Sequence, residues 1–318
     1  MKIALANVPF DAEQVRSLKA VAAGGGAELI YFKDGEALTT EALQGFEALM
    51  GYFPPEIVAA LKGLLWMQTP SAGVDHLRGA FDPDKTLVTN GSGAFGIPIA
   101  EYLLAGLLML NRKMPAYLRN QRARLWQSEG SARSVYGSLV TVVGMGNLGS
   151  AFARRMHAMG ARVRGVKRSA AEKPEYLEEL YPVSRLGEAV EGADAVALCL
   201  PATAETEGLV GEEILRRMKK GAILLNAGRG ATLDEPALIR ALMGGHLGGA
   251  VLDVTAEEPL CADSPLWDMD NVILTPHISG ANGDPISAAV LYEIFHDNLE
   301  RILAGKPLRN VVDPATGY

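Results

Sequence analysis

Val142-Val143-Gly144-Met145-Gly146-Asn147-Leu148-Gly149 sets three glycines at the spacing G-x-G-x-x-G. The strand-like run 138–144 (SLVTVVG) leads into them, and the helical stretch Leu148–Met159 follows. Each glycine has a physical reason in that setting. Gly144 permits a tight turn, Gly146 lets a pyrophosphate approach the backbone, and Gly149 lets the helix pack closely on the strand. Gly146, Asn147 and Leu148 then lie along a diphosphate at the helix N-terminus, where unpaired N–H groups and the positive end of the helix dipole favour anions. In a chain with 35 glycines the hexapeptide alone is a weak signal. Its place between a strand and a helix carries the dinucleotide reading.

A dinucleotide site of this kind reads the adenosine ribose at the end of the next strand. About 20 residues past the last glycine stand Lys167, Arg168 and Ser169, with no acid before Glu172. A carboxylate there would accept from the ribose 2′-hydroxyl and repel a 2′-phosphate, whereas two cations and a hydroxyl hold that phosphate. The expected cofactor is therefore NADPH, with NADH admitted.

On both sides of the glycine loop the chain alternates short apolar runs with helical stretches. Lys2–Asn7, Glu28–Phe32, Ala48–Tyr52, Leu64–Gln68 and Leu87–Asn90 read as strands, and Glu13–Ala22 as a helix. Beyond the loop, Ala161–Val166, Ala193–Leu200, Ala222–Asn226, Ala250–Val254 and Val272–Leu274 read as strands, with helices at Glu235–Met243 and Ser287–Leu303. Such alternation predicts parallel sheets covered on both faces. Between the two series a long helical stretch is expected over Pro98–Trp126, kinked or broken near Met114 by Pro115.

Length and composition set the outer bounds. The 318 residues suit two domains, and 48% apolar with 21% charged residues is an ordinary globular mix. Apolar runs such as Tyr102–Leu110 stop at about nine residues, too short for a bilayer span. A net charge of −7 argues against a nucleic-acid or anionic-membrane partner. Cys199 and Cys261 are too few for a disulfide framework or a thiolate metal site, which fits a cytoplasmic protein with no metal.

Three downstream segments put polar residues at the ends of expected parallel strands, where such sheets hold ligands. They are Asn226-Ala227-Gly228-Arg229-Gly230, Asp253-Val254 continuing to Glu257-Glu258-Pro259, and Thr275-Pro276-His277-Ile278. Together with the glycine loop, Ser71-Ala72-Gly73-Val74-Asp75, Ala100-Glu101 and Gly305-Lys306-Pro307-Leu308, they resemble the D-isomer-specific 2-hydroxyacid dehydrogenase family over nearly the whole chain. Lys167-Arg168 and Ser264-Pro265-Leu266-Trp267 make the chain most similar to its NADPH-dependent glyoxylate/hydroxypyruvate reductase branch.

Reduction of a 2-keto acid needs a proton donor that titrates near neutrality and a fixed cation for the substrate carboxylate. His277 suits the first task, and the planar fork of Arg229 suits the second. A carboxylate on the far imidazole nitrogen favours the charged ring. The resemblance assigns that part to Glu258, with the adjacent Glu257 as rival. It also implies that Asp253 contacts the nicotinamide carboxamide, that Ala227, Leu200 and Pro201 line the cofactor, and that Ala72 and Gly73 offer backbone N–H groups to the substrate. Tyr52 and Phe53 could wall the pocket or pack in the core.

The expected fold is α/β, two doubly wound parallel-sheet domains. A Rossmann cofactor domain (98–284) is inserted into a flavodoxin-like substrate domain (1–97 and 285–318). The expected function is hydride transfer between NADPH and a small 2-keto acid such as glyoxylate or hydroxypyruvate, in a homodimer. Two alternatives stand beside it: a formate- or phosphite-type dehydrogenase on the same scaffold, and a non-catalytic nucleotide sensor resembling a corepressor. Replacing Lys167 by Asp is expected to weaken NADPH binding about tenfold or more while sparing NADH, because it returns the carboxylate to the ribose site. Fluorescence titration of both cofactors measures this, and unchanged NADPH affinity refutes the assignment.

Overall fold

The computed structural model describes residues 1–33, 38–168, 172–280 and 284–313. The chain forms two compact units, Met1–Phe95 with Gly283–Tyr318, and Gly96–Asn282. In chain order the first contains β1 (Lys2–Ala6), α1 (Ala12–Gly24), β2 (Glu28–Phe32), β3 (Ala48–Gly51), α2 (Pro55–Ala60), β4 (Trp66–Gln68) and β5 (Leu87–Thr89). The second opens with α3 (Gly96–Asn111) and α4 (Met114–Arg122), then β6 (Leu139–Val143), α5 (Asn147–Ala158), β7 (Arg162–Lys167) and β8 (Glu179–Pro182). It continues with α6 (Leu186–Val190), β9 (Ala195–Leu198), α7 (Glu212–Arg217), β10 (Ile223–Asn226), α8 (Glu235–Met243), β11 (Gly249–Leu252) and β12 (Val272–Leu274). The chain then returns to the first unit with α9 (Pro285–Leu303).

Both sheets are parallel throughout. The first has the order β2-β1-β3-β4-β5 and the second β12-β11-β10-β9-β6-β7-β8. These are the flavodoxin-like and Rossmann orders, so the architecture is two doubly wound α/β domains. Strands buried on both faces must be apolar at every position, and β6, β9 and β11 contain almost nothing else. Residues of β10 and β11 alternate between two cores. Leu224 and Leu252 enter one, while Ile223, Leu225 and Val251 enter the other.

Local signals start the helices where the sheets need them. Asp11 and Gln14 form a capping box on α1. Asp234 and Asp284 accept from the backbone N–H of the third residue of α8 and α9, each with a proline in the first turn.

The structure breaks the long helical stretch close to Met114, as expected, and adds elements that the sequence reading does not contain. Lys113 adopts a left-handed conformation that ends α3, and Pro115 sits in the first turn of α4, where its missing N–H costs nothing. Trp126 lies beyond α4 and is fully exposed. Besides the short helices α2, α6 and α7, the sequence reading lacks β8. It is an edge strand of exposed and half-buried residues ending in Pro182, so no apolar run announces it.

A buried polar network docks α9 on the first sheet. Asn298 donates to Gln68 Oε1 at 2.7 Å and to the Arg309 carbonyl at 3.0 Å, and accepts from Arg309 N–H at 2.7 Å. Thr89 donates to the same Gln68 oxygen at 2.8 Å and accepts from the Trp66 indole at 3.0 Å. Asn298, Gln68 and Thr89 are completely buried. Asn298→Leu strands several of these groups and is expected to lower the unfolding free energy by about 2–3 kcal/mol. Urea denaturation reads the loss, and a midpoint equal to wild type would contradict it.

Candidate functional site

The glycine loop joins β6 to α5 at the edge of the second sheet where the strand order reverses between β6 and β9. Gly144 and Met145 N–H groups are spent on the Val166 carbonyl of β7, at 3.0 and 3.2 Å. Gly146 caps α5, and the space where its side chain would be is open. Helix geometry leaves the N–H groups of Asn147, Leu148 and Gly149 without intrahelical partners. Gly149 is obligatory for packing, because a Cβ there would overlap the Gly144 carbonyl oxygen. An open approach at Gly146, above a helix N-terminus held tightly to its strand, fits a dinucleotide diphosphate.

Lys167 ends β7, and Arg168 follows it. The Arg168 guanidinium lies 4.0 Å from Glu205 across the loop after β9, and both side chains are exposed. Ser169 falls outside the described residues. Leu200 and Pro201 are half-buried directly after β9, where Thr206 donates to the Pro201 carbonyl at 2.6 Å.

Three adjacent strands deliver the remaining polar residues to one edge. Asn226, Leu252 and Leu274 are in register across β10, β11 and β12, so the loops carrying Arg229, Asp253 and His277 start at the same level. Asn226, fully buried, organises the first loop by accepting from Gly228 N–H at 3.1 Å and donating to the Arg229 carbonyl at 3.2 Å. Arg229 itself donates to the Gly228 carbonyl at 2.8 Å. Ala227 is buried beside β9, its N–H 3.3 Å from the Leu198 carbonyl. Gly230 lies against the backbone of Thr255, and a Cβ there would overlap the Thr255 carbonyl oxygen. That contact presses the Arg229 loop onto the loop that carries Glu258.

The imidazole Nδ1 of His277 is 2.8 Å from Glu258 Oε2, with both side chains close to half exposed. Thr255 N–H reaches the other Glu258 oxygen at 3.3 Å, so the carboxylate is held from two directions. Glu257 takes a different part, its backbone carbonyl accepting from the Thr255 hydroxyl at 2.7 Å.

Asp253 is buried, and its carboxylate accepts from the Thr275 hydroxyl at 2.6 Å and from Ile278 and Ser279 N–H at 2.9 Å each. Thr275 in turn lies 2.6 Å from the Tyr102 phenol on α3, and burial pushes that phenol up to about 12. The sequence reading overlooked Tyr102 and Thr275. The available signal was a hydroxyl inside the apolar run 102–110, opposite a threonine at a strand end.

In the other unit, Ala72 and Gly73 lie on the loop after β4, where Asn90 donates to the Ala72 carbonyl at 2.9 Å. Phe53 is core and completely buried, while Tyr52 is exposed and stacks on His76 with ring centroids 5.6 Å apart. Neither cysteine is in a disulfide. Cys199 follows β9, and burial pushes its thiol up to about 12, whereas Cys261 is exposed three residues past Glu258. Among the described residues no group of three or more His, Cys, Asp or Glu side chains could hold a metal ion. None of the helices formed by them is long and apolar enough to cross a membrane.

Comparison with known proteins gives a consistent answer. The family model for the D-isomer specific 2-hydroxyacid dehydrogenase NAD binding domain matches residues 104–279. A D-3-phosphoglycerate dehydrogenase of Mycobacterium tuberculosis is 35% identical over 232 residues, 72% of this chain. The match spans only 43% of that longer protein. A glyoxylate reductase of Korarchaeum cryptofilum is 36% identical over 234 residues, 71% of this chain and 69% of its own. An NADPH-dependent glyoxylate/hydroxypyruvate reductase from Sinorhizobium meliloti, solved with NADP and sulfate, superposes with a TM-score of 0.84 over 100% of both chains at 27% identity.

Because Gly149 has backbone rather than a flexible side chain above it, Gly149→Ala is expected to cost about 1–3 kcal/mol of stability. Calorimetry of the purified variant tests this, and an unchanged Tm would show that the turn can give way.

Proposed function

The chain belongs to the D-isomer-specific 2-hydroxyacid dehydrogenase family, and we propose that it reduces a small 2-keto acid such as glyoxylate or hydroxypyruvate with NADPH. The observation that carries this reading is the His277–Glu258 pair at 2.8 Å, on loops that share one sheet edge with Arg229. The family gives the reaction class, and the names of the K. cryptofilum and S. meliloti relatives support a substrate of the glyoxylate or hydroxypyruvate kind.

The cofactor assignment draws on the same edge. The open approach at Gly146 and the α5 N-terminus suit a diphosphate, and the cations Lys167 and Arg168 suit a 2′-phosphate. NADPH, when bound, would supply the hydride. The chain supplies the rest. His277 commits Nδ1 to Glu258, which leaves Nε2 to hand a proton to the keto oxygen. Glu258 orients the ring by accepting from it. Arg229 binds the substrate carboxylate and polarises the carbonyl with its planar fork. In this scheme residues 98–284 bind cofactor, and residues 1–97 with 285–318 recognise substrate.

Two further proposals complete the reading. Leu125, Trp126 and Tyr136 are exposed on the stretch between α4 and β6, which supports a homodimer built there. Two cysteines outside any disulfide support a reducing, cytoplasmic setting.

The central test is glyoxylate and hydroxypyruvate reduction followed at the nicotinamide absorbance, with formate oxidation in parallel. Activity on formate but on neither keto acid would transfer the chain to the formate-type reading. His277→Ala is expected to lower kcat by about a thousandfold or more while NADPH still binds, and substantial retained turnover would sink the mechanism. Arg229→Ala should raise KM and lower kcat together, and an effect confined to cofactor affinity would mean that its role is misassigned.

A further inference from the structure

His277 has a backbone φ of 54°, a left-handed conformation that few residues other than glycine adopt, so the surrounding structure must impose it. Asp253 is what imposes it. Its carbonyl accepts from His277 N–H at 2.8 Å, and its carboxylate takes the next two N–H groups, Ile278 and Ser279, at 2.9 Å each. One buried residue thus grips the backbone of the histidine and of both residues after it.

The orientation of that carboxylate is set in turn from below. Thr275 has a single hydroxyl proton, and Asp253 Oδ1 at 2.6 Å receives it. The 2.6 Å contact between Thr275 and Tyr102 can therefore be made only with the tyrosine O–H donating. The bonds run in one direction, from Tyr102 to Thr275 to Asp253, and end at the loop that presents His277. A phenol pushed up to about 12 remains a donor throughout the working range of a dehydrogenase.

We propose that Tyr102 and Thr275 are positioning residues that hold the His277 ring in its working orientation through the Asp253 carboxylate. The effect on turnover rests on the functional reading above, in which His277 gives the proton. The hold on the ring does not. The competing account is plain packing: a tyrosine ring filling space between α3 and the sheet, with its hydroxyl merely satisfied. Removing the hydroxyl and keeping the ring separates the two accounts.

The experiment uses full-length Tyr102→Phe, Thr275→Val and Thr275→Ser. Each is assayed for glyoxylate reduction and NADPH binding, and by NMR of histidine labelled with nitrogen-15 in the ring. The His277 signal is assigned by its loss in His277→Gln. Tyr102→Phe should lower kcat about fivefold and Thr275→Val about tenfold, with NADPH Kd and glyoxylate KM within about twofold of wild type. Thr275→Ser restores the hydroxyl and should recover kcat to within about twofold. The His277 signal should shift or broaden in the first two variants and return in the third. Wild-type kcat and an unchanged ring signal in Tyr102→Phe overturn the proposal. So does a Thr275→Ser variant as impaired as Thr275→Val. If the wild-type chain reduces no 2-keto acid, the functional reading fails, and the ring signal still decides whether Tyr102 and Thr275 hold His277.

Discussion

Parallel strands can pair only if every crossover returns the chain to the same end of the sheet, so all the loops leaving the strands' carboxyl ends gather on one edge. In the second unit that requirement alone brings together groups far apart in sequence. Asn226, Leu252 and Leu274 are neighbours because β10, β11 and β12 are neighbours, and Arg229, Glu258 and His277 each follow one of those strands. Insertions in the intervening helices would leave this convergence intact. A one-residue slip in any of the three strands would turn a functional side chain toward the opposite face.

Within that frame, backbone contacts and side-chain contacts have different work. Gly149 against Gly144 and Gly230 against Thr255 bring main chain onto main chain, which fixes how closely successive loops approach. Buried amides and carboxylates then fix orientation. Asn226 shapes the Arg229 loop, Asp253 shapes the His277 loop, and Asn298 secures the returning helix in the other unit. Each is almost completely buried, and each meets several partners, as a polar group removed from water must. His277, the proposed proton donor, and its partner Glu258 are both left close to half exposed.

Much of this was legible in the sequence because parallel, doubly covered strands are apolar runs bounded by turn residues. Val272–Leu274 and Glu235–Met243 match the expected elements to the residue. Elements lacking that contrast were harder to see. The edge strand β8 is half polar, and the break between α3 and α4 falls at Lys113, ahead of the proline that announced it, because a proline in a first turn does not disturb a helix. Side chains at strand ends stood out through their motifs. The supports behind them did not, since the Tyr102 hydroxyl meets Thr275 only through a contact 173 residues apart in sequence. Between Glu257 and Glu258 the resemblance already favoured the second, and it is the second that lies against His277.

The two cysteines differ in a way that has practical value. Burial holds the Cys199 thiol protonated at any ordinary pH, and only the thiolate attacks an electrophile. Cys261, exposed close to Glu258, is the thiol a maleimide dye can reach. The native chain therefore comes with a single attachment point beside its proposed catalytic loop. Fluorescence from a dye placed there could follow that loop during ligand binding with no cysteine added or removed.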